Sequence, residues 1–211
     1  MADNHQSVDN FLRYLGDSSA LNLCELIEND DDIDDDELKL YRTSPYYTLE
    51  CLPEYLNKQD NTFKILSIDI QSLNAKFDSL KVYLAALLDM NIKFNAICIQ
   101  ETWLNNNSNT SIFEIDGYKL FSQNSHCSKH GGLAIYVDQE YLVTPLPENN
   151  IKTNVCEGMF LEISGTHMKN KLLIGNIYEL PKHNNNDENI ETFLTDIEQT
   201  LEKKVILPHM H

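Results

Sequence analysis

The sequence predicts an α/β domain with mixed sheets behind an acidic extension, and three features of the 211 residues lead there. Phe63–Ile70 reads as a strand and residues 95–100 as a second, with a helical apolar pattern between them. Shorter segments separated by Gly, Asn and Pro turn signals follow, as expected of antiparallel strands. The first sixty residues instead carry 15 acidic and 4 basic side chains, and the remainder 18 and 12.

Residues 1–60 form the acidic extension and 61–211 the α/β domain. Asp30–Glu37 is acidic at seven of eight positions and repels itself, which predicts a solvated, partly disordered tract with short helices beside it. It lacks the central Gly and terminal Glu of a helix–loop–helix calcium site. In the domain, Phe63–Ile70 is rich in β-branched and aromatic residues. Phe77, Leu80, Leu84, Leu87 and Leu88 then line one face of a four-turn helix. Asn95–Gln100 is nearly all apolar, as a strand buried on both faces should be. A strand–helix–strand crossover makes its two strands parallel, so Asp69 and Glu101 stand at neighbouring carboxyl ends, where ligands bind in open α/β sheets. Tyr118–Ser122, Gly132–Val137, Gly158–Ser164 and Lys171–Tyr178 read as four more strands, with Leu133, Ile135 and Val137 on one face. Asn186 or Asp187 caps a helix with Ile190, Phe193, Leu194, Ile197 and Leu201 on its apolar side, and Val205–Leu207 begins a further strand.

The chain has a formal net charge of −17, which argues against tight, non-specific DNA binding but not against metal-dependent chemistry, because a metal brings positive charge of its own. The acidic extension suits a basic partner, so a non-catalytic interaction module is the alternative reading of the whole. Five cysteines without a C-x-x-C pair, and no apolar run of membrane-spanning length or secretory leader, point to an intracellular protein with reduced thiols and no membrane.

Glu101 and Asp69 are the candidate metal ligands, since carboxylates suit hard cations such as Mg²⁺. Tyr178 ends a strand, where its hydroxyl can reach a phosphate or water. Asn176, two residues earlier, shares its face and reaches either the same site or a neighbouring loop. His126, Cys127 and His130 have zinc-like spacing but no second ligand pair. Gly131-Gly132 precedes a strand, not a helix, and is no phosphate loop.

Several segments occur in an order that resembles the endonuclease domain of LINE-type (non-LTR) retrotransposons. They are Ser44-Pro45-Tyr46-Tyr47 with Leu49, Leu52 and Leu56; Ile65–Leu73 with Lys76–Leu80; Ile97-Cys98-Ile99-Gln100-Glu101-Thr102-Trp103-Leu104; Gly117-Tyr118; Gly131–Val137; and Gly175-Asn176-Ile177-Tyr178. That family belongs to the endonuclease/exonuclease/phosphatase, or DNase I-like, superfamily. The resemblance implies a four-layer α/β sandwich, here a partial one, and Mg²⁺-dependent phosphodiester cleavage of DNA in the nucleus. It makes Glu101 a metal ligand and Tyr178 a contact to the scissile phosphate or its water. Asp69 occupies a position that is usually Asn in the family, so it adds negative charge beside a phosphate. The family strand that matches Lys204–Leu207 leads into Gly-Asp-Phe-Asn, whereas here Pro208-His209-Met210-His211 follows. The expectation is therefore a C-terminally truncated enzyme, catalytically incomplete and weak or absent in DNA binding.

Overall fold

The computed structural model describes residue 56, residues 62–125, 130–153 and 155–180, and residues 191, 192, 194, 195 and 197–199. Two compact units divide the chain: Met1–Thr62 with Val82–Lys93, and Phe63–Lys81 with Phe94–His211.

The larger unit holds two four-stranded sheets. The first contains β1 (Ile65–Asp69), β2 (Ala96–Gln100), β3 (Tyr118–Gln123) and β4 (Leu133–Asp138), in the order β1-β2-β4-β3. Helix α1 (Leu73–Asp89) connects β1 to β2. These two strands are parallel, with Asp69 opposite Gln100, as the crossover requires. The other pairs, β2–β4 and β3–β4, are antiparallel. The second sheet is built on β7 (Cys156–Ser164). It has β8 (Leu172–Glu179) along one side, and β5 (Leu142–Pro145) and β6 (Ile151–Lys152) along the other, all antiparallel.

Alternation decides what each strand buries. Ala96 and Cys98 of β2 and Leu133, Ile135 and Val137 of β4 face Met159, Leu161 and Ile163 of β7 and Ile174 of β8, so the two sheets close on one apolar core. Burial there pushes the Cys98 thiol up to about 11. The opposite row of the first sheet, Ile97, Ile99 and Tyr136, is fully buried too. The Tyr136 hydroxyl donates to the Phe113 carbonyl at 2.7 Å. The Phe113 ring meets Phe77 of α1 edge-on at 5.3 Å between centroids, which ties the start of the helix to this face. Beyond the second sheet, Ile197 packs on Leu146, Ile151, Cys156 and Phe160. The larger unit is thus a layered α/β sandwich of two sheets, the first mixed and the second wholly antiparallel.

In the smaller unit, the last turns of α1 end in a Schellman motif. Asn91 adopts φ 59°, its N–H donates to the Leu88 carbonyl at 2.9 Å, and that of Ile92 donates to Leu87 at 2.9 Å.

Two residues expected on apolar helix faces are exposed, and two strands were not expected. Leu88 is 59% exposed, because the buried face of α1 runs through Leu73, Phe77, Leu80, Tyr83 and Leu87 instead. Leu194 is also exposed, while Ile197 of the same helix packs inward. Strands β5 and β6 were not anticipated. One ends in Pro145 and the other has two residues, so neither shows a period of two. The acidic tract, the Ser44–Tyr47 lead-in, His126, Cys127, the helix-capping residues and Val205–His211 lie outside the described residues. Among the described residues no helix is long and apolar enough to cross a membrane.

Candidate active site

The site forms where β1 and β2 run out. The pairing between them continues past the strands, with N–H to carbonyl bonds from Ile70 to Gln100 (3.0 Å), Ser72 to Glu101 (2.8 Å) and Leu73 to Thr102 (3.0 Å). On the other side, the N–H groups of Thr102 and Trp103 donate to the Gly132 and Gly131 carbonyls, both at 3.0 Å. Residues 101–103 are therefore tethered along both edges.

That tether holds an unusual backbone. Glu101 has φ 51° and Trp103 φ 56°, and across the pairing Gln71 has φ 47° and Ser72 φ 86°. All four are left-handed non-glycine residues, each costing about 1–3 kcal/mol, and such outliers concentrate at functional sites. Gly131 and Gly132 are left-handed as well, at φ 75° and 80°. A Cβ on Gly132 would fall 2.5 Å from Thr102 Oγ1, so only glycine lets the turn approach the 101–103 segment.

Glu101 is 8% exposed. Its Oε1 accepts a hydrogen bond from the Tyr178 hydroxyl, and its Oε2 accepts one from Trp103 Nε1 at 3.2 Å. The carboxylate is thus pinned by a donor on each oxygen, and each oxygen keeps a lone pair for another partner. Burial, the bond to Glu101 and the charges of Glu101, Asp69 and Glu157 push the Tyr178 phenol well above its ordinary range. It therefore remains a donor at any physiological pH. Asp69 lies at the accessible end of β1. Partial burial and then the Glu101 charge raise its carboxyl, while the Gln71 backbone N–H and Lys76 pull the other way. Asp69, Glu101 and Tyr178 are thus brought into one electrostatic cluster.

Asn176 is 1% exposed and sits elsewhere. Its Nδ2 donates to the Ile99 and Ala134 carbonyls, both at 3.0 Å, and its Oδ1 accepts from Gln100 Nε2 at 2.5 Å. It joins the second sheet to two strands of the first, so its partners are strand carbonyls, not Glu101.

Two contributors were not assigned from sequence. Trp103 was read only as part of the segment from Ile97 to Leu104, and its indole N–H donates to Glu101. Glu157 is fully buried on the core-facing row of β7, opposite Tyr178, and its Oε2 accepts from the Gly132 N–H at 2.6 Å. A charged residue on the same row as Met159, Leu161 and Ile163 is the sequence signal that could have found it.

Among the described residues no cluster of three or more His, Cys, Asp or Glu side chains is arranged to hold a metal. Two carboxylates nevertheless suit Mg²⁺, which needs only one or two and retains waters for its remaining positions. Asp69 is raised first by partial burial and then by the Glu101 charge, and a cation between the pair would offset the second of these.

No known family and no curated protein matches the chain. Among solved structures, it is similar to the human Nocturnin catalytic domain with bound sulfate anion, at 15% identity and a TM-score of 0.47, over 67% of this chain and 58% of that one. It is also similar to an S-adenosylmethionine-dependent methyltransferase from Clostridium acetobutylicum, at 15% identity and a TM-score of 0.20, over 71% and 60%. The chain therefore spans less than two thirds of either.

Proposed function

We propose that this chain carries the Glu101 half of a Mg²⁺-dependent phosphodiesterase centre of the LINE-type retrotransposon endonuclease kind, with DNA as the ligand and the nucleus as the place of action. The observation that supports it best is the pair of carboxylates at parallel strand ends. Glu101 is fixed by two donors on a strained backbone, and Asp69 feels its charge.

In this reading Glu101 and Asp69 offer oxygen to the cation. When bound, the cation neutralises phosphate charge and polarises the phosphoryl group. Tyr178 and Trp103 keep the Glu101 carboxylate aimed. The raised phenol ensures that Tyr178 donates and does not repel. Asp69 adds a charge that opposes a phosphate until a cation is present. The chain's own negative charge acts in the same direction, so DNA should bind only through the cation.

Turnover by this chain is expected to be negligible. A positioned general acid–base group is worth about 10²–10⁴-fold. Among the described residues, the groups at the site are two carboxylates, a phenol and an indole, with Lys76 acting on Asp69, and the phenol and indole are already engaged with Glu101.

The test is binding of a short duplex with and without Mg²⁺, beside a supercoiled-plasmid nicking assay. Retention that requires Mg²⁺ and disappears in Glu101→Ala is expected, with no nicking above background. Retention indifferent to Mg²⁺ would remove the cation from the account, and nicking abolished by Glu101→Ala would overturn the expected inactivity.

A further inference from the structure

Glu157 lies outside the cluster that meets solvent, yet both supports of Glu101 pass beside it. On one side, its Oε2 accepts the Gly132 N–H at 2.6 Å. The Gly131–Gly132 turn then presents its carbonyls to the N–H groups of Trp103 and Thr102, both at 3.0 Å. Trp103 Nε1 in turn reaches Glu101 Oε2 at 3.2 Å. On the other side, Glu157 is the register partner of Tyr178, whose hydroxyl binds Glu101 Oε1. A Cβ at Gly131 would lie 2.8 Å from Glu157 Oε2, so the turn is seated directly against this carboxylate.

A charge-assisted bond to a backbone N–H is about twice as strong as a neutral one, and burial strengthens it further. The 101–103 segment needs such an anchor, because its left-handed residues would otherwise relax toward ordinary φ values. We propose that Glu157 is the positioning residue of this site: its buried carboxylate seats the Gly131–Gly132 turn, and the turn holds residues 101–103 in the conformation that aims Glu101 between Trp103 and Tyr178. The role rests on the phosphodiesterase reading for its purpose but not for its geometry.

The chain's single tryptophan is Trp103, so its emission reports the segment directly. In the full chain without metal, Glu157→Met keeps the volume and removes the acceptor, whereas Glu157→Gln keeps one acceptor oxygen. The Met variant should shift Trp103 emission to the red. It should speed amide exchange at Gly132, Thr102 and Trp103 at least tenfold, with the β7–β8 ladder unchanged, and it should weaken Mg²⁺ binding at least tenfold. The Gln variant should recover most of the wild-type behaviour. Wild-type emission and exchange in Glu157→Met, or uniform acceleration throughout the second sheet, would overturn the proposal. If Glu157→Met does not fold, the wild type decides. Its Gly132, Thr102 and Trp103 amides should be as protected as the β7–β8 ladder, and rapid exchange there would overturn it. Failure of the wild type to bind Mg²⁺ would remove the proposed function, while the exchange pattern would still decide the role of Glu157.

Discussion

The ends of β2 and of the β7–β8 pair meet at Glu101 and contribute to it in opposite ways. The β2 end is irregular: it leaves the strand through two left-handed residues, Glu101 and Trp103, and carries the buried Glu101 carboxylate. The β7–β8 end is regular. Its pairing runs unbroken from Cys156–Glu179 to Ile163–Leu172, and it places Glu157, Tyr178 and Asn176 on inward-facing positions of ordinary strands. Among the described residues, the left-handed non-glycine positions near the site follow β1 and β2, whereas Tyr178 and Glu157 come from a ladder that has none. A backbone held against its preferences needs partners that do not move, and a continuous antiparallel ladder supplies them.

The largest effect should come from removing the tie between the two regions. Asn176→Ala removes three buried hydrogen bonds at once, those to the Ile99 and Ala134 carbonyls beside their strand pairing and the one from Gln100 Nε2, and should cost about 2–4 kcal/mol in denaturant unfolding. Asn176→Asp should be no better, since an ionised carboxylate cannot donate. A loss within experimental error in either variant would mean that the sheets do not depend on this link.

Tyr178→Phe is a finer probe, because it takes only the hydroxyl from Glu101 Oε1. A bond to a charged group contributes about 1.5–3 kcal/mol, so stability should fall by that amount while Trp103 emission stays near wild type. A change in emission as large as the change in stability would show that the two supports of Glu101 are not separable.

The smallest effect belongs to Asp69. Its folded carboxyl is raised above the ordinary 3.8, so the native state holds its proton more tightly than the unfolded chain. Stability therefore declines as pH rises from near 3.8 through the raised value, and the decline is complete above it. Asp69→Asn should be the more stable protein at neutral pH, by under about 1 kcal/mol given the solvent at this position, and equal to wild type at lower pH. A gap that is the same at every pH would assign the effect to shape and not to charge.

Much of this arrangement was legible in the sequence because it depends on periodicity. The apolar run before Glu101, the helical spacing from Phe77 to Leu87 and the crossover rule were enough to put Asp69 and Glu101 at adjacent strand ends. Leu88 was placed on the wrong side because one residue of helical rotation separates the buried row from its neighbour. Asn176 shares a face with Tyr178, as a period of two requires, but the face alone did not say that strand carbonyls would capture its amide. Trp103 and Glu157 were out of reach for a different reason. Their roles depend on left-handed angles at residues 101 and 103 and on a glycine turn brought in from β4, and neither follows from local propensity. Glu157 did leave a trace as a lone charge in an apolar row.

If Glu101 and its surroundings form a cation site, calorimetric titration of Mg²⁺ into the full chain should show one saturable site in the wild type, weakened at least tenfold in Glu101→Gln while the melting transition stays cooperative. Equal Mg²⁺ binding by the wild type and a folded Glu101→Gln, or no saturable binding to either, would contradict it.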